Sequence, residues 1–260
     1  FGSRCRIRGL FHVLMRMEKV ASTFAWLSLL CGTAALPLPA SHIAFNSSDG
    51  SRLLHAPDAR LEAFHQASQH FTSEEDESSC SRASAVMILN ALAPYGVAAP
   101  VDGKFKPYPY WSQDDFVLSE CVRTNCTKPC TLPQATGALG CEHTLKAEAL
   151  HASDIGSPGA LGELIYEHVG QKGIHLIVNY DRSALGQVGG GHFSPILGYS
   201  SNGGNPMVLV FDVARYKYPP WWAPVELLWD GINTVDSDSN MTRGLIVVRP
   251  RGPFEDVFFF

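Results

Sequence analysis

The stretch that most restricts the fold runs from Val188 to Trp222 and reads VGGGHFSPILGYSSNGGNPMVLVFDVARYKYPPWW. It looks like two strands joined by a turn. His192 to Tyr199 is the first strand, and Met207 to Ala214, an apolar run with β-branched residues, is the second. Between them Ser201-Asn202-Gly203-Gly204-Asn205 contains glycines that supply the positive φ of a tight hairpin. Antiparallel pairing brings His192 near Asp212. The glycines before the histidine allow close backbone approach and keep the imidazole open to a cleft. A histidine backed by a buried carboxylate has two readings: a satisfied structural pair, or the base and orienter of a nucleophilic site.

A third residue separates these readings. Upstream stands Ser78-Ser79-Cys80-Ser81-Arg82-Ala83, followed by a run to Leu92 that is apolar on nearly every face, as in a buried central helix. Ser79 is the expected N-cap, and Pro94 and Gly96 end the helix. Cys80 then sits in the first turn, where backbone N–H groups and the helix dipole favour a thiolate. The order Cys, His, Asp, with the thiol on a helix and its partners on later strands, is that of papain-like cysteine peptidases and predicts an α+β fold.

The match becomes specific in four segments. CSRASAVMILNAL resembles the nucleophile helix of phytochelatin synthases, and GGGHFSPILGY and FDVARYKYPPWW resemble their His and Asp segments. LLWDGINTVD followed by TRGLIVVRP resembles the end of their catalytic domain. The resemblance implies a papain-like α+β fold in which a buried nucleophile helix packs on an antiparallel sheet. It also implies a γ-glutamylcysteine dipeptidyl transferase or hydrolase acting on glutathione. By motif, Cys80 is the nucleophile, His192 the base and Asp212 the orienter. Arg243, in TRG, falls on a position that holds the γ-glutamyl group, and Asp236 on a polar position beside it. No resident cofactor is implied. Cadmium or zinc enters as activating ion or as metal–glutathione thiolate substrate, and a homodimer is allowed.

Two positions depart from the family. Its members carry Gln six residues before the nucleophile, donating into the oxyanion hole, where this chain has Glu74; they carry Gly after the cysteine, where it has Ser81. Glu74 belongs to an acidic run, Ser73-Glu74-Glu75-Asp76-Glu77, that otherwise reads as a solvated loop favouring a helix N-terminus. Two arrangements would preserve the oxyanion hole: a protonated Glu74 that donates, or a remodelled loop in which Gln69 or a backbone N–H fills the position.

The rest of the chain sets the boundaries. Its 260 residues suit an N-terminal extension over 1–40, a linker over 41–60, a catalytic domain over 61–250 and a tail over 251–260. A formal net charge of −5 gives no basic footprint for nucleic acid. Met17 reads as an initiator, and the apolar Val20–Ala35 run behind Arg16 and Lys19 reads as a secretory signal peptide. Ser41 to Ser51 reads as a loop, Leu61 to Phe71 as a helix or strand, and Lys104 to Trp111 as a loop over the core. Leu161 to Val169 has helical spacing and stops at Gly170, while Ile174 to Tyr180 and Leu245 to Val248 read as strands. His168 is expected at the surface, His175 in the core or at an edge, and Trp221 and Trp222 in the cleft wall.

Four cysteines, Cys121, Cys126, Cys130 and Cys141, cluster in one segment. In an oxidising compartment they suggest two disulfides of undetermined pairing, and in a reducing one a metal site. Two other functions stay open beside the glutathione-directed one. One is a general papain-like peptidase. The other, motivated by Glu74 and the cysteine segment, is a catalytically weak secreted protein that binds thiols or metals.

Overall fold

The computed structural model describes residues 35–126, 129–201 and 203–252. Met17, the leader through Ala34 and the chain beyond Gly252 lie outside the described residues. Among these residues no helix is long and apolar enough to cross a membrane.

In chain order the elements are β1 (Ile43–Ala44), α1 (Ser48–Leu54), α2 (Glu62–Ala67), α3 (Cys80–Ala91), α4 (Gln113–Leu118), α5 (Glu120–Asn125) and α6 (Leu132–Leu139). There follow β2 (Leu145–His151), α7 (Ala152–Ile155), α8 (Pro158–Val169), β3 (His175–Asp181), β4 (Gly191–Ser200), β5 (Met207–Val210) and β6 (Trp221–Pro224). The last are α9 (Val225–Ile232), β7 (Val235–Asp236), β8 (Met241–Thr242) and β9 (Gly244–Pro250). Seven strands form one sheet in the order β1-β6-β5-β4-β3-β9-β2, and each neighbouring pair is antiparallel. With helices packed on it, this is an α+β fold. The small β7–β8 ladder stands apart.

Helix α3 forms because its run from Ala83 onward is apolar on nearly every face, and all its residues but Arg82 are buried. It packs on β4, as do α2 and α8, while α9 packs on β3. Met87, Ile88 and Leu89 have no solvent exposure; burying each such side chain stabilises the fold by about 1.5–3 kcal/mol. Leu89→Ala would cost about 2–5 kcal/mol, because the packing around it relaxes only partly into the space left. A short 3-10 turn over Ala93–Tyr95 then ends at Gly96, which takes the left-handed φ of 91°.

The hairpin departs from expectation in its second strand. β5 stops at Val210 rather than continuing to Ala214. Pro195 lies in the middle of β4 and has no N–H to donate; beside it the β4–β5 register shifts between Ile196 and Gly198. Its carbonyl accepts the Phe211 N–H at 2.9 Å, and there the ladder ends. Asp212 Oδ1 accepts the Ala214 N–H at 2.9 Å, and the Lys217 and Tyr218 N–H groups both donate to the Ala214 carbonyl. This local turn competes successfully with further sheet pairing.

Three further expectations change. The 41–60 stretch, read as a loop and linker, carries β1 and α1, and Ser47 caps α1 by accepting the Gly50 N–H at 3.0 Å. Trp221 and Trp222 do not wall a cleft: both sit on β6 without solvent exposure. Ser79 occupies the N-cap position of α3 but makes no capping bond, and its ψ of 8° departs from the extended backbone usual at an N-cap. His175 lies on β3 in the core, and Leu61–Phe71 holds α2 and a 3-10 turn.

Candidate active site

Cys80 opens α3 and is the free cysteine among the described residues. With Ser79 not capping, the first-turn N–H groups of α3 are not taken by that side chain. His192 is the second residue of β4, and its Nε2 lies 3.1 Å from Asp212 Oδ1. That contact leaves Nδ1 for the sulfur. The Cys80 sulfur, a His192 ring nitrogen and a Glu74 carboxylate oxygen all lie within 4.8 Å of one another. Cys80, His192 and Asp212 are therefore brought together, as the sequence order predicts.

Asp212 is the hub of a buried network. Arg182 donates Nη1 to Oδ2 and Nη2 to Oδ1, both at 2.8 Å; Trp221 donates Nε1 to Oδ2 at 3.3 Å and Tyr180 its hydroxyl at 3.4 Å. Burial alone would raise the Asp212 carboxyl, but His192 and Arg182 hold it well below the usual carboxylate range. Arg182 also donates to Gln187 Oε1 at 2.5 Å, and Gln187 Nε2 lies 3.2 Å from His42 Nε2. Sequence reasoning missed Arg182. Its signal was its place just past the apolar β3 strand, which pairs with β4 at Tyr180 and His192.

Burial lowers the His192 imidazole, with Asp212 opposing. Burial pushes the Cys80 thiol up to about 12, and the nearby Glu74 carboxylate pushes the same way; the backbone N–H groups of Phe193 and Ser81 oppose both. The resting pair is thus neutral thiol and neutral imidazole. With both groups neutral, an attack by this sulfur would require proton transfer from sulfur to nitrogen, as in a general-base mechanism.

Glu74 lies at the centre rather than in a solvated loop, although its neighbours Glu75, Asp76 and Glu77 are exposed. Its N–H donates to the Val213 carbonyl at 2.9 Å, and Gln113 Nε2 donates to the Ser73 carbonyl at 2.9 Å. These bonds pin the loop beside Asp212. Tyr216, a residue of the DVARYKYPP string, donates its hydroxyl to Glu74 Oε1 at 2.5 Å. Glu74 Oε2 is buried with no hydrogen-bond partner. Burial raises the Glu74 carboxyl above its ordinary value, with Tyr216 and Arg182 opposing. Gln69 does not take this place: it is exposed, and Nε2 donates to the Gln66 carbonyl.

Arg243 follows β8 and lies against the backbone ahead of His192. A Cβ on Gly191 would come 2.5 Å from Arg243 Nη1, so a side chain there would displace the guanidinium. Arg243 Nη1 donates to Asp236 Oδ2 at 3.3 Å and to Asn179 Oδ1 at 3.5 Å, and Nη2 lies 3.9 Å from Asp181. Its buried Nε has no partner. Guanidinium and carboxylates lie side by side, an arrangement suited to the carboxylate and ammonium of an amino-acid terminus.

The four clustered cysteines are joined as Cys121–Cys141 and Cys126–Cys130. Paired in this way, the sulfurs are not thiolate ligands. Ser81, where the family pattern has glycine, donates its hydroxyl to Cys130 Sγ at 3.5 Å. The second disulfide therefore lies against the first turn of the Cys80 helix.

The chain is similar to known proteins over most of its length. The phytochelatin synthase family model matches residues 33–245. Glutathione gamma-glutamylcysteinyltransferase 1 of Lotus japonicus is 35% identical over 219 residues, covering 82% of this chain and 41% of that protein. Its namesake from Arabidopsis thaliana is 28% identical over 225 residues, covering 82% and 43%. The glutathione gamma-glutamylcysteinyltransferase of Schizosaccharomyces pombe is 26% identical over 222 residues, covering 82% and 50%. The chain spans about half or less of the length of these relatives. A family match over most of the chain, on the segments that carry the Cys80, His192 and Asp212 geometry, leads to one conclusion: this chain belongs to the phytochelatin synthase family.

Proposed function

We propose that this chain is a papain-like cysteine acyltransferase that cleaves the Cys–Gly bond of glutathione. Glutathione binds with its γ-glutamyl carboxylate on Arg243 and its ammonium toward Asp236 and Asp181. The Cys80 proton passes to His192 Nδ1 as sulfur attacks the carbonyl of the Cys–Gly peptide. Asp212, held by Arg182, keeps the imidazole oriented and stabilises the imidazolium. Collapse of the tetrahedral intermediate breaks the C–N bond, and the glycine amine leaves with the proton from His192. The γ-glutamylcysteinyl thioester is taken by water, giving γ-glutamylcysteine, or by the amino group of a second glutathione, giving phytochelatin. Cadmium– or zinc–glutathione thiolates are substrates of the same site on this reading. The two disulfides support residence in the secretory pathway.

The observation that carries the reading is Cys80 at a helix start beside an imidazole bonded to a buried carboxylate, in a chain of this family. Mass spectrometry of glutathione incubated with the purified protein, with and without cadmium, tests it. Glycine release with γ-glutamylcysteine or phytochelatin as co-product is expected, and Cys80→Ser should abolish it. Release undiminished in that variant would assign the chemistry to another group. Cleavage of ordinary peptides in preference to glutathione would mark a general peptidase.

A further inference from the structure

We propose that Glu74, Cys80 and His192 form a binding site for a divalent cation of the zinc class, and that such an ion, when bound, blocks the nucleophile. Their donor atoms lie within 4.8 Å of one another, and all three side chains are buried. Thiolate sulfur, imidazole nitrogen and carboxylate oxygen are the ligands zinc prefers, three protein donors being enough to leave a fourth position open. Ligands of a tetrahedral zinc lie about 3.5 Å apart, so the side chains close in by about 1 Å.

Two features show more than a chance cluster. Glu74 Oε2 is buried and unpartnered, while Oε1 is held by Tyr216, so one oxygen is anchored and the other is open to a ligand. A buried carboxylate oxygen without a donor is a costly feature that a cation would relieve. His192 gives its Nε2 to Asp212, which leaves Nδ1 for the metal, and Arg182 fixes Asp212 from behind. A carboxylate behind a ligating histidine is the usual support of a zinc site. Charge also balances: a thiolate and a carboxylate neutralise a dication, and the thiol gives up its proton to solvent only when the ion binds. Binding displaces the thiol proton, and sulfur bound to metal no longer attacks a peptide carbonyl.

The binding half of the proposal stands without the proposed reaction, and its test reads binding directly. Oxidised full-length protein, its disulfides confirmed by intact mass, is titrated with cobalt(II) and followed by absorption, then with zinc(II) in competition with a chromophoric chelator. One equivalent of cobalt should bind with a sulfur-to-cobalt charge-transfer band, and zinc should displace it. Cys80→Ser should remove the band. Glu74→Gln, which keeps shape and can still accept from Tyr216, should weaken zinc binding by more than the roughly 10- to 100-fold that losing a mere supporting group costs. Circular dichroism matching the wild type excludes misfolding of either variant. A wild type without the band, or variants that bind as tightly as the wild type, would overturn the site. If the protein releases glycine from glutathione, zinc ions added without excess thiol should inhibit it, and Glu74→Gln should resist. Equal inhibition of both would separate the metal from Glu74. Failure to turn over glutathione would count against the proposed function and leave the cobalt result to decide the site.

Discussion

Arg182 and Asp212 meet as a bidentate pair, both bonds at 2.8 Å, with side chains 2% and 0% exposed. The pair holds the carboxylate that orients His192. Replacing Arg182 with Gln leaves Asp212 as a buried anion without its counter-charge, a change that costs about 3–5 kcal/mol. Chemical denaturation should show that loss. The Asp212 carboxyl is depressed in the folded state, so its contribution to stability is complete above the ordinary aspartate pKa of 3.8 and is lost as pH falls below it. The stability gap between wild type and Arg182→Gln should therefore narrow in acid. A gap unchanged down to pH 2 would remove the ion pair as its source.

Arg243 contacts Asp236 and Asn179 beside the backbone that leads into His192. On the proposed reading it holds the substrate carboxylate equally in ground and transition states. Arg243→Ala should then chiefly raise KM, by the equivalent of about 2–4 kcal/mol, with kcat changed much less. Unchanged kinetics would exclude the contact. A fall in kcat alone would show instead that Arg243 acts by shaping the Gly191–His192 backbone.

On the proposed reading, Glu74 makes glycine release pH-dependent in a direction that can be worked out. Its carboxyl is raised by burial, so as pH falls through that raised value it becomes a neutral donor toward the oxyanion, and its repulsion of the thiolate disappears. Burial lowers His192 from its ordinary 6.5, so the base stays neutral further into acid than a free imidazole does. Glycine release, measured with a metal chelator present, should rise from pH 8 toward pH 5. Glu74→Gln should gain on the order of 100- to 1000-fold at pH 7, the usual worth of one oxyanion donor. Profiles of equal height and shape would exclude Glu74 from this role.

The disulfides make a simpler prediction. Alkylation of the unreduced protein followed by peptide mass mapping should find Cys121, Cys126, Cys130 and Cys141 blocked, with Cys80 modified slowly because its thiol is buried and its pKa high. Rapid labelling of all four would restore the reading of that segment as a thiolate metal site.

The sequence revealed the residues that sit on regular elements. Cys80 ahead of a helical run that is apolar from Ala83 onward and His192 on a glycine-led strand were legible because apolar runs and the glycines and prolines that bound them are local signals, although Ser79, expected to cap that helix, does not. Asp212 was found, but on a strand that ends two residues before it; the turn at Ala214 depends on side-chain bonds that periodicity does not carry. Arg182, Gln187, His42 and Tyr216 were not found. Each acts through a contact that only the folded sheet creates, and nothing in their spacing separates them from solvated polar residues. Gly191 was read as giving the imidazole space, and the structure adds that the Arg243 guanidinium lies where a Cβ at this position would go.

The short β1 strand changes what counts as the catalytic unit. Ile43 and Ala44 pair with Trp222 and Trp221, the Leu36 N–H donates to the Lys217 carbonyl, and His42 reaches Gln187, which holds Arg182. Residues 36–45 thus brace the far side of the carboxylate that aims His192, although none of them was chosen by any chemical motif. A recombinant chain trimmed to the 61–250 core would retain the proposed nucleophile, base and substrate-binding residues and still lose the brace behind Asp212. It should be weaker in kcat than in substrate affinity, and any maturation cut that preserves function should fall before Leu36.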